Sequence, residues 1–164
     1  MPFGQILTGP PGSGKTTYAA GLSQLLPALN RKIAIINLDP AAPPTLPYEP
    51  ALDIRDLLGG HLDEIQREEQ LGPNGAVLYA MEVLASEEGW AWLKEGMEAL
   101  ADGGGTGGEE GTRKEETYVV IDTPGQVEVF THHTAIRDLG WRAGKWGWRA
   151  CLPFNTSRFI NRHC

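Results

Sequence analysis

Eight residues near the N-terminus constrain the fold of this chain more than any other segment. They read Gly9-Pro10-Pro11-Gly12-Ser13-Gly14-Lys15-Thr16, with four residues between the first glycine and the Gly-Lys-Thr triplet. A short apolar run, Gln5 to Thr8, precedes them, and apolar residues recur at helical spacing after them. A strand, a glycine-rich loop and a helix in this order are typical of a P-loop, the phosphate-binding element of an α/β fold.

The P-loop pattern predicts how its residues would bind a nucleotide. Glycines let successive backbone N–H groups converge on phosphate oxygens, and the helix N-terminus adds a partial positive charge. The residues predicted to bind the nucleotide here are Gly12, Ser13, Gly14, Lys15, Thr16 and Thr17. Lys15 would neutralise the β and γ phosphates, and the Thr16 hydroxyl would bind magnesium. An ordinary glycine-rich turn is the alternative interpretation.

Asp122 follows a buried strand pattern, Tyr118 to Ile121. In a P-loop protein an aspartate at such a strand end holds magnesium, usually through water. Gly125 can place its N–H against a γ phosphate, and Gln126 can orient a water molecule. We therefore predict Thr16 and Asp122 as magnesium ligands. An incidental turn after the strand is the alternative.

Asp39 ends a further apolar run, Ile33 to Leu38, and begins a proline-rich loop that extends to Pro50. Ligands of an open parallel sheet bind at the carboxyl ends of its strands, so Asp39 and Asp122 could both face the phosphates. The alternative is that Asp39 merely starts a turn. These runs predict an α/β fold with a parallel sheet flanked by helices.

The rest of the chain supplies helices and a polar segment. The pattern from Leu52 to Leu100 predicts three or four helices, and that from Val127 to Leu139 predicts another. Residues 102–117 have no apolar side chains to bury, so we expect a flexible surface loop there. No run of about 18 apolar residues could span a membrane.

Charge is distributed unevenly along the 164 residues, whose net charge is −7. Residues 140–164 contain five basic residues and no acidic one, which leaves −12 on the remainder. Because nucleic acids are held by basic faces, the acidic part argues against direct nucleic-acid binding. The N-terminus lacks the pattern of a secretory signal, so we expect a cytoplasmic or nuclear protein.

Gly72-Pro73-Asn74-Gly75 alone indicates only a turn, but its position is distinctive. It lies behind the P-loop and between Asn37-Leu38-Asp39-Pro40-Ala41 and Asp122-Thr123-Pro124-Gly125-Gln126. Together these motifs resemble the GPN-loop GTPases, which are named after a Gly-Pro-Asn insertion. Three further segments resemble the second of the family's three eukaryotic paralogues: Met1-Pro2-Phe3, Leu46-Pro47-Tyr48-Glu49 and Gln126-Val127-Glu128-Val129-Phe130-Thr131-His132-His133.

The resemblance implies a GTP hydrolase that uses Mg²⁺ and works as a homodimer, or as a heterodimer with another GPN-loop GTPase. Asn74 would act on the γ phosphate bound by the partner subunit. Asp39, Gln126 and Glu128 would position the attacking water. The resemblance also implies RNA polymerase subunits or assembly factors as partners, and a cytoplasmic protein that shuttles to the nucleus.

The resemblance extends from about Pro2 to Leu139. We therefore predict a P-loop GTPase domain over residues 1–139, with 102–117 as a glycine-rich insertion and with the later strands of the family missing. Residues 140–164 show neither helical nor strand periodicity and lack the family's Asn/Thr/Ser-Lys-x-Asp segment, so guanine specificity rests on kinship alone. Interleaved Trp and basic residues there leave single-stranded nucleic-acid or membrane-surface binding as alternatives. We favour a divergent, disordered tail.

Two other functions stay open on sequence grounds. A catalytically silent fragment would only bind partner proteins. A small-molecule kinase would use the same P-loop, although the segment after Asp122 suits a water nucleophile better and no acceptor-binding segment is apparent.

Overall fold

Five parallel strands form the sheet at the centre of this protein. A computed structural model describes residues 3–101, 117–131 and 133–151. The strands are β1 (Phe3–Leu7), β2 (Ile33–Asn37), β3 (Leu52–Asp53), β4 (Tyr118–Asp122) and β5 (Arg149–Cys151). Their order across the sheet is β3-β2-β4-β1-β5, and every neighbouring pair is parallel.

Helices connect these strands. They are α1 (Lys15–Ala28), α2 (Ile54–Leu58), α3 (Leu62–Glu68), α4 (Pro73–Ala85), α5 (Glu87–Ala101), α6 (Val127–Thr131) and α7 (Ala135–Lys145). Helix α1 ends just before Asn30, whose positive φ of 53° stops it. Pro73 occupies the first turn of α4, where its missing N–H costs nothing. None of the described helices is long and apolar enough to cross a membrane.

Alternate side chains of the central strands enter two separate apolar clusters. Ile6, Ile36 and Ile121 belong to the larger cluster, which includes residues of α2 to α7. Leu7, Ile35 and Val120 belong to the smaller one, with Ala19 and Ala20 of α1. Since successive strand residues point to opposite faces, α1 covers one face of the sheet and α2 to α7 cover the other.

The register of the central strands aligns their carboxyl ends. Asp122 of β4 lies opposite Leu7 of β1 and opposite Asn37 of β2. The P-loop follows β1, and Asp39 follows β2 by two residues. The three segments predicted to contact phosphate and magnesium therefore leave the sheet at one level, side by side.

The predicted fold class is confirmed: an α/β protein with a parallel sheet flanked by helices. Strands β3 and β5 were not predicted, because two and three residues are too short to show periodicity. The segment from Leu52 to Leu100 holds four helices after the short strand β3. The helix expected from Val127 to Leu139 is two helices, α6 and α7.

The expectation that residues 140–164 lack regular structure is wrong for residues 140–151. Helix α7 continues to Lys145 because Ile136, Leu139 and Ala143 are all buried on one of its faces. Strand β5 then pairs with β1 and forms that edge of the sheet. Residues 152–164, and 102–116 of the predicted loop, lie outside the described residues.

The tryptophans of this segment do not form the exposed surface that the nucleic-acid or membrane alternative requires. Trp148 is only 5% exposed, and Trp146 meets Trp90 of α5 edge to face at 6.3 Å. Arg142 lies over the Trp90 ring, 4.6 Å from its centre. These rings pack the end of α7 against α5, and only Trp141 is well exposed.

Two helical glycines should respond in opposite ways to alanine. A β-carbon at Gly89 would lie 2.3 Å from the Val83 oxygen, so Gly89→Ala should destabilise the protein by about 1–3 kcal/mol. Gly21 of α1 has no atom within 4 Å of that position, so Gly21→Ala should stabilise by about 0.5–1 kcal/mol. Urea denaturation of both variants tests this, and equal effects would contradict the packing of α4 on α5.

Candidate active site

The P-loop joins β1 to α1 and presents backbone N–H groups at the helix N-terminus. Gly12 and Gly14 have positive φ angles of 72° and 88°, which a β-carbon would disfavour. Gly14 is the N-cap residue and offers no side chain to cap the first turn. The helix N-terminus is therefore left to bind an anion.

Lys15 lies under this loop with its ammonium group directed at the loop backbone. The residue is 7% exposed, and its Nζ donates hydrogen bonds to the carbonyl oxygens of Gly9 at 3.0 Å and Pro10 at 3.3 Å. Burial lowers the pKa of Lys15, while the negative charges of Asp122 and Asp39 oppose that shift. The ammonium thus stands beside two carboxylates and within reach of the loop that would bind phosphate.

Asp122 is 1% exposed at the end of β4. Its Oδ2 accepts a 2.9 Å hydrogen bond from the Tyr48 hydroxyl, while Oδ1 has no hydrogen-bond partner among the described residues. Burial raises the pKa of the Asp122 carboxyl above its ordinary value. The side chains of Thr16 and Tyr48 oppose this shift, as does the charge of Lys15.

These residues fit a magnesium ion. Mg²⁺ prefers oxygen ligands and is commonly bound by one or two protein groups together with substrate phosphates. Asp122 Oδ1 is a buried carboxylate oxygen without a hydrogen-bond partner in the part of the chain that the structure describes, and the Thr16 side chain lies close enough to affect the same carboxyl. Within the described ranges no three His, Cys, Asp or Glu side chains form a metal-binding group.

Asp39 is held at the mouth of the proline-rich loop by backbone contacts. Its Oδ1 accepts from the Ala41 N–H at 2.9 Å, and its own N–H donates to Asn37 Oδ1 at 3.1 Å. Burial raises the pKa of Asp39, the Ala41 hydrogen bond opposes this, and the charge of Asp122 adds to it. Two carboxylates with raised pKa values therefore share the site with Lys15.

Gly125 and Gln126 close the other side of the cavity. A β-carbon at Gly125 would lie 2.8 Å from Lys15 Nζ and 2.9 Å from the Pro11 nitrogen, so only glycine fits there. Gln126 Oε1 is buried and has no hydrogen-bond partner among the described residues. The amide oxygen is therefore free to accept a hydrogen bond from a water molecule or a ligand.

A cavity of about 340 Å³ brings most of the predicted site residues together. It is lined by Pro11, Gly12, Gly14, Lys15, Thr16, Thr17, Asp39, Gly125 and Gln126. Ser13 and Asp122 are not part of this lining, and each has a buried side-chain oxygen that none of the described residues hydrogen-bonds. Seven of the predicted residues and Asp39 thus line one cavity, and the roles of all the predicted residues stay predictions.

Asn74 and Glu128 are placed elsewhere. Neither lines the cavity, and Asn74 Nδ2 donates to Glu128 Oε1 at 3.3 Å. Asn74 is in the first turn of α4, and Glu128 is in the first turn of α6. The structure thus pairs these two residues with each other, at an exposed position.

Sequence reasoning gave no role to Tyr48, although this residue contacts Asp122. Tyr48 was noted only as part of a segment that resembles the family, and it is the one aromatic residue of the loop between β2 and β3. Its ring is 7% exposed, and burial raises the pKa of its hydroxyl, an effect that the Asp122 charge reinforces. The sequence feature that could have indicated a role for Tyr48 is its position as a single tyrosine in a proline-rich loop.

A family model described as a conserved hypothetical ATP binding protein matches residues 7–145. GPN-loop GTPase 2 of Xenopus tropicalis is 45% identical over 151 residues, which cover 91% of this chain and 43% of the relative. The chain belongs to the GPN-loop GTPase family. GPN-loop GTPase 2 of Saccharomyces cerevisiae is 44% identical over 136 residues, or 83% of this chain and 35% of the relative.

A plant relative gives the same result. GPN-loop GTPase QQT1 of Arabidopsis thaliana is 41% identical over 139 residues, which cover 85% of this chain and 41% of the relative. The chain thus spans about two fifths of the length of these GPN-loop GTPases. The family match confirms the resemblance carried by the motifs, and its reach to residue 145 includes the whole of α7.

Asp122→Asn is expected to stabilise the ligand-free protein near neutral pH. Because folding raises the pKa of Asp122, folding is favoured while the carboxyl is protonated, and that stability is lost as pH rises through the folded-state pKa. An amide imitates the protonated carboxyl at every pH. The gain should be on the order of 1 kcal/mol near pH 7 and should disappear in acid.

Urea denaturation in EDTA, at neutral and at acidic pH, measures the change in the free energy of unfolding. Asp63→Asn, at an exposed position of α3, is the matched control and should change stability little at either pH. A loss of stability near neutral pH in Asp122→Asn would show that the carboxylate is stabilised, rather than strained, by its surroundings.

Proposed function

We propose that this chain binds GTP with Mg²⁺ and hydrolyses it as the nucleotide-binding portion of a GPN-loop GTPase. The observation that carries the proposal is the meeting of Lys15, Asp39 and Asp122 beneath a cavity lined by the P-loop. One ammonium beside two carboxylates is costly to bury without a ligand. A triphosphate with its magnesium ion supplies the opposite charge to each of these groups.

Binding of the triphosphate would rest on the P-loop. The N–H groups at the start of α1 would donate to phosphate oxygens, as expected of a helix N-terminus without a side-chain cap. Lys15 would exchange its bonds to the Gly9 and Pro10 carbonyl oxygens for phosphate oxygens. Thr16 and Asp122 would hold magnesium, which neutralises charge on the β and γ phosphates.

Hydrolysis requires a water molecule to attack the γ phosphorus and to break its bond to the bridging oxygen of the β phosphate. Gln126 is suited to orient that water, because its buried Oε1 lacks another partner in the described structure. Asp39 lines the same cavity, and its raised pKa makes it a better proton acceptor than an ordinary aspartate. The released proton would pass to this carboxylate or to phosphate.

The role proposed for Asn74 involves a second subunit, whereas Glu128 is proposed from kinship to position the attacking water. Both residues lie outside the cavity lining, so Asn74 is better suited to reach the phosphates of a partner than those of its own chain. The partner would be a second copy or another GPN-loop GTPase. RNA polymerase subunits or assembly factors as clients, and a cytoplasmic protein that shuttles to the nucleus, are proposed from kinship alone.

Nucleotide binding can be tested by calorimetric titration with Mg²⁺ and a non-hydrolysable GTP analogue. We expect micromolar binding that falls about 10- to 100-fold in Lys15→Ala, since a hydrogen bond to a charged group contributes about 1.5–3 kcal/mol. Lys32→Ala removes an exposed lysine just before β2, and this variant should bind normally. The matching ATP analogue tests which base is bound, because the family model is named for ATP binding whereas the relatives are named GTPases.

A folded chain that binds neither analogue would contradict the proposal. It would favour the silent fragment that only binds partner proteins. Lys15-dependent binding of the ATP analogue alone would keep the phosphate site and overturn the assignment of GTP.

Turnover tests the hydrolytic roles separately from binding. Gln126→Ala and Asn74→Ala should each lower GTP hydrolysis by about 100-fold or more, as removal of a single oriented polar group does in other active sites. Binding of the GTP analogue should change little. Gln24→Ala, at an exposed position of α1, is the matched control. Normal turnover in both site variants, measured by phosphate release, would exclude the proposed roles.

A further inference from the structure

Tyr48 connects the loop between β2 and β3 to Asp122 at the end of β4. Its ring belongs to the smaller apolar cluster, with Leu7, Ala19 and Val120, and is 7% exposed. Its hydroxyl donates a 2.9 Å hydrogen bond to Asp122 Oδ2 across a separation of 74 residues. The ring therefore contributes to the core, while the hydroxyl serves the carboxylate.

This hydrogen bond makes the two oxygens of Asp122 different. Oδ2 is occupied by Tyr48, whereas Oδ1 has no hydrogen-bond partner among the described residues. A carboxylate with both oxygens free could rotate about its terminal torsion, which is broad. With Oδ2 held, Oδ1 is the oxygen left for a ligand.

We propose that Tyr48 is a positioning residue for magnesium: its hydroxyl holds Asp122 Oδ2 so that Oδ1 stays available to the magnesium ion of the bound nucleotide. This inference rests on the proposed function. Carboxylates that bind metals are themselves commonly hydrogen-bonded by outer groups, and loss of such a group typically costs about 10- to 100-fold in metal affinity or activity. The Thr16 side chain and the Thr123 N–H also act on this carboxyl, since each lowers its pKa.

The same contact also holds the loop that begins at Asp39. Asp39 lines the cavity at one end of this loop, and Tyr48 reaches Asp122 near the other end. Prolines between them restrict the backbone. Loss of the hydroxyl should therefore affect the magnesium site first, because the apolar contacts of the ring still hold the loop.

Tyr48→Phe separates the two contributions of this residue, since it keeps the ring and removes the hydroxyl. The experiment is a Mg²⁺ titration at a fixed concentration of a fluorescent, non-hydrolysable GTP analogue, with a parallel titration of the analogue in EDTA. We expect the half-saturating Mg²⁺ concentration to rise about tenfold or more. Affinity in EDTA, which depends on Lys15 and the P-loop, should stay within about twofold.

Tyr118→Phe is the matched control. It removes a hydroxyl from a half-buried tyrosine at the other end of β4, where it pairs with Ile33. Its Mg²⁺ dependence should equal that of the unsubstituted chain. An equal Mg²⁺ dependence in Tyr48→Phe would overturn the inference and leave the proposed function standing. Equal losses with Mg²⁺ and in EDTA would assign Tyr48 a purely structural role and would also overturn it.

Two further outcomes are decisive. Absence of Mg²⁺-dependent binding in the unsubstituted chain would overturn both this inference and the proposed function. If circular dichroism shows that Tyr48→Phe is unfolded, the double variant Tyr48→Phe/Asp122→Asn is tested for folding instead. Restored folding of the double variant would support the inference that the Tyr48 hydroxyl acts through Asp122. Without the hydroxyl as a hydrogen-bond donor, a neutral amide is less costly to bury than a carboxylate. Failure to restore folding would overturn the inference.

Discussion

The burial of Lys15 beside Asp39 and Asp122 is the constraint around which this structure is arranged. Parallel strands β1, β2 and β4 end at one level, so the residues that follow them must lie together. Burial works against the charged form of each of the three groups, and the attraction of Lys15 for the two carboxylates offsets only part of that cost. The sheet thus places opposite charges where neither water nor apolar packing satisfies them fully.

Much of this arrangement could be predicted from the sequence because phosphate binding needs fixed spacing. Glycines in the P-loop, an apolar run before them and a strand-end aspartate are local patterns, and a parallel sheet brings its carboxyl ends together. The cavity lined by Lys15, Asp39 and Gln126 follows from these patterns. The fold class follows as well, since strand and helix patterns alternate along the chain.

The remaining features depend on contacts between distant segments. Strand β5 is stabilised by pairing with β1, and the part of α7 after Leu139 by the packing of Trp146 and Trp148, so neither was predicted from a local pattern. The hydrogen bond of Tyr48 to Asp122 joins residues 74 positions apart. The pairing of Asn74 with Glu128 joins α4 to α6, and neither residue lines the cavity. No spacing rule within the sequence predicts such pairs.

Stability and binding are linked through the same buried groups. A ligand that binds only the folded state stabilises it in proportion to the logarithm of its concentration over Kd. Here the relief of the buried carboxylates, whose raised pKa values mark their cost in the ligand-free state, would be part of the binding free energy that sets Kd. Replacing the charged residues of the site with neutral ones would therefore raise the stability of the ligand-free protein. The same replacement would remove the charges that a magnesium nucleotide needs. The strain at the carboxyl ends of β2 and β4 is thus a consequence of the chemistry for which these residues are suited.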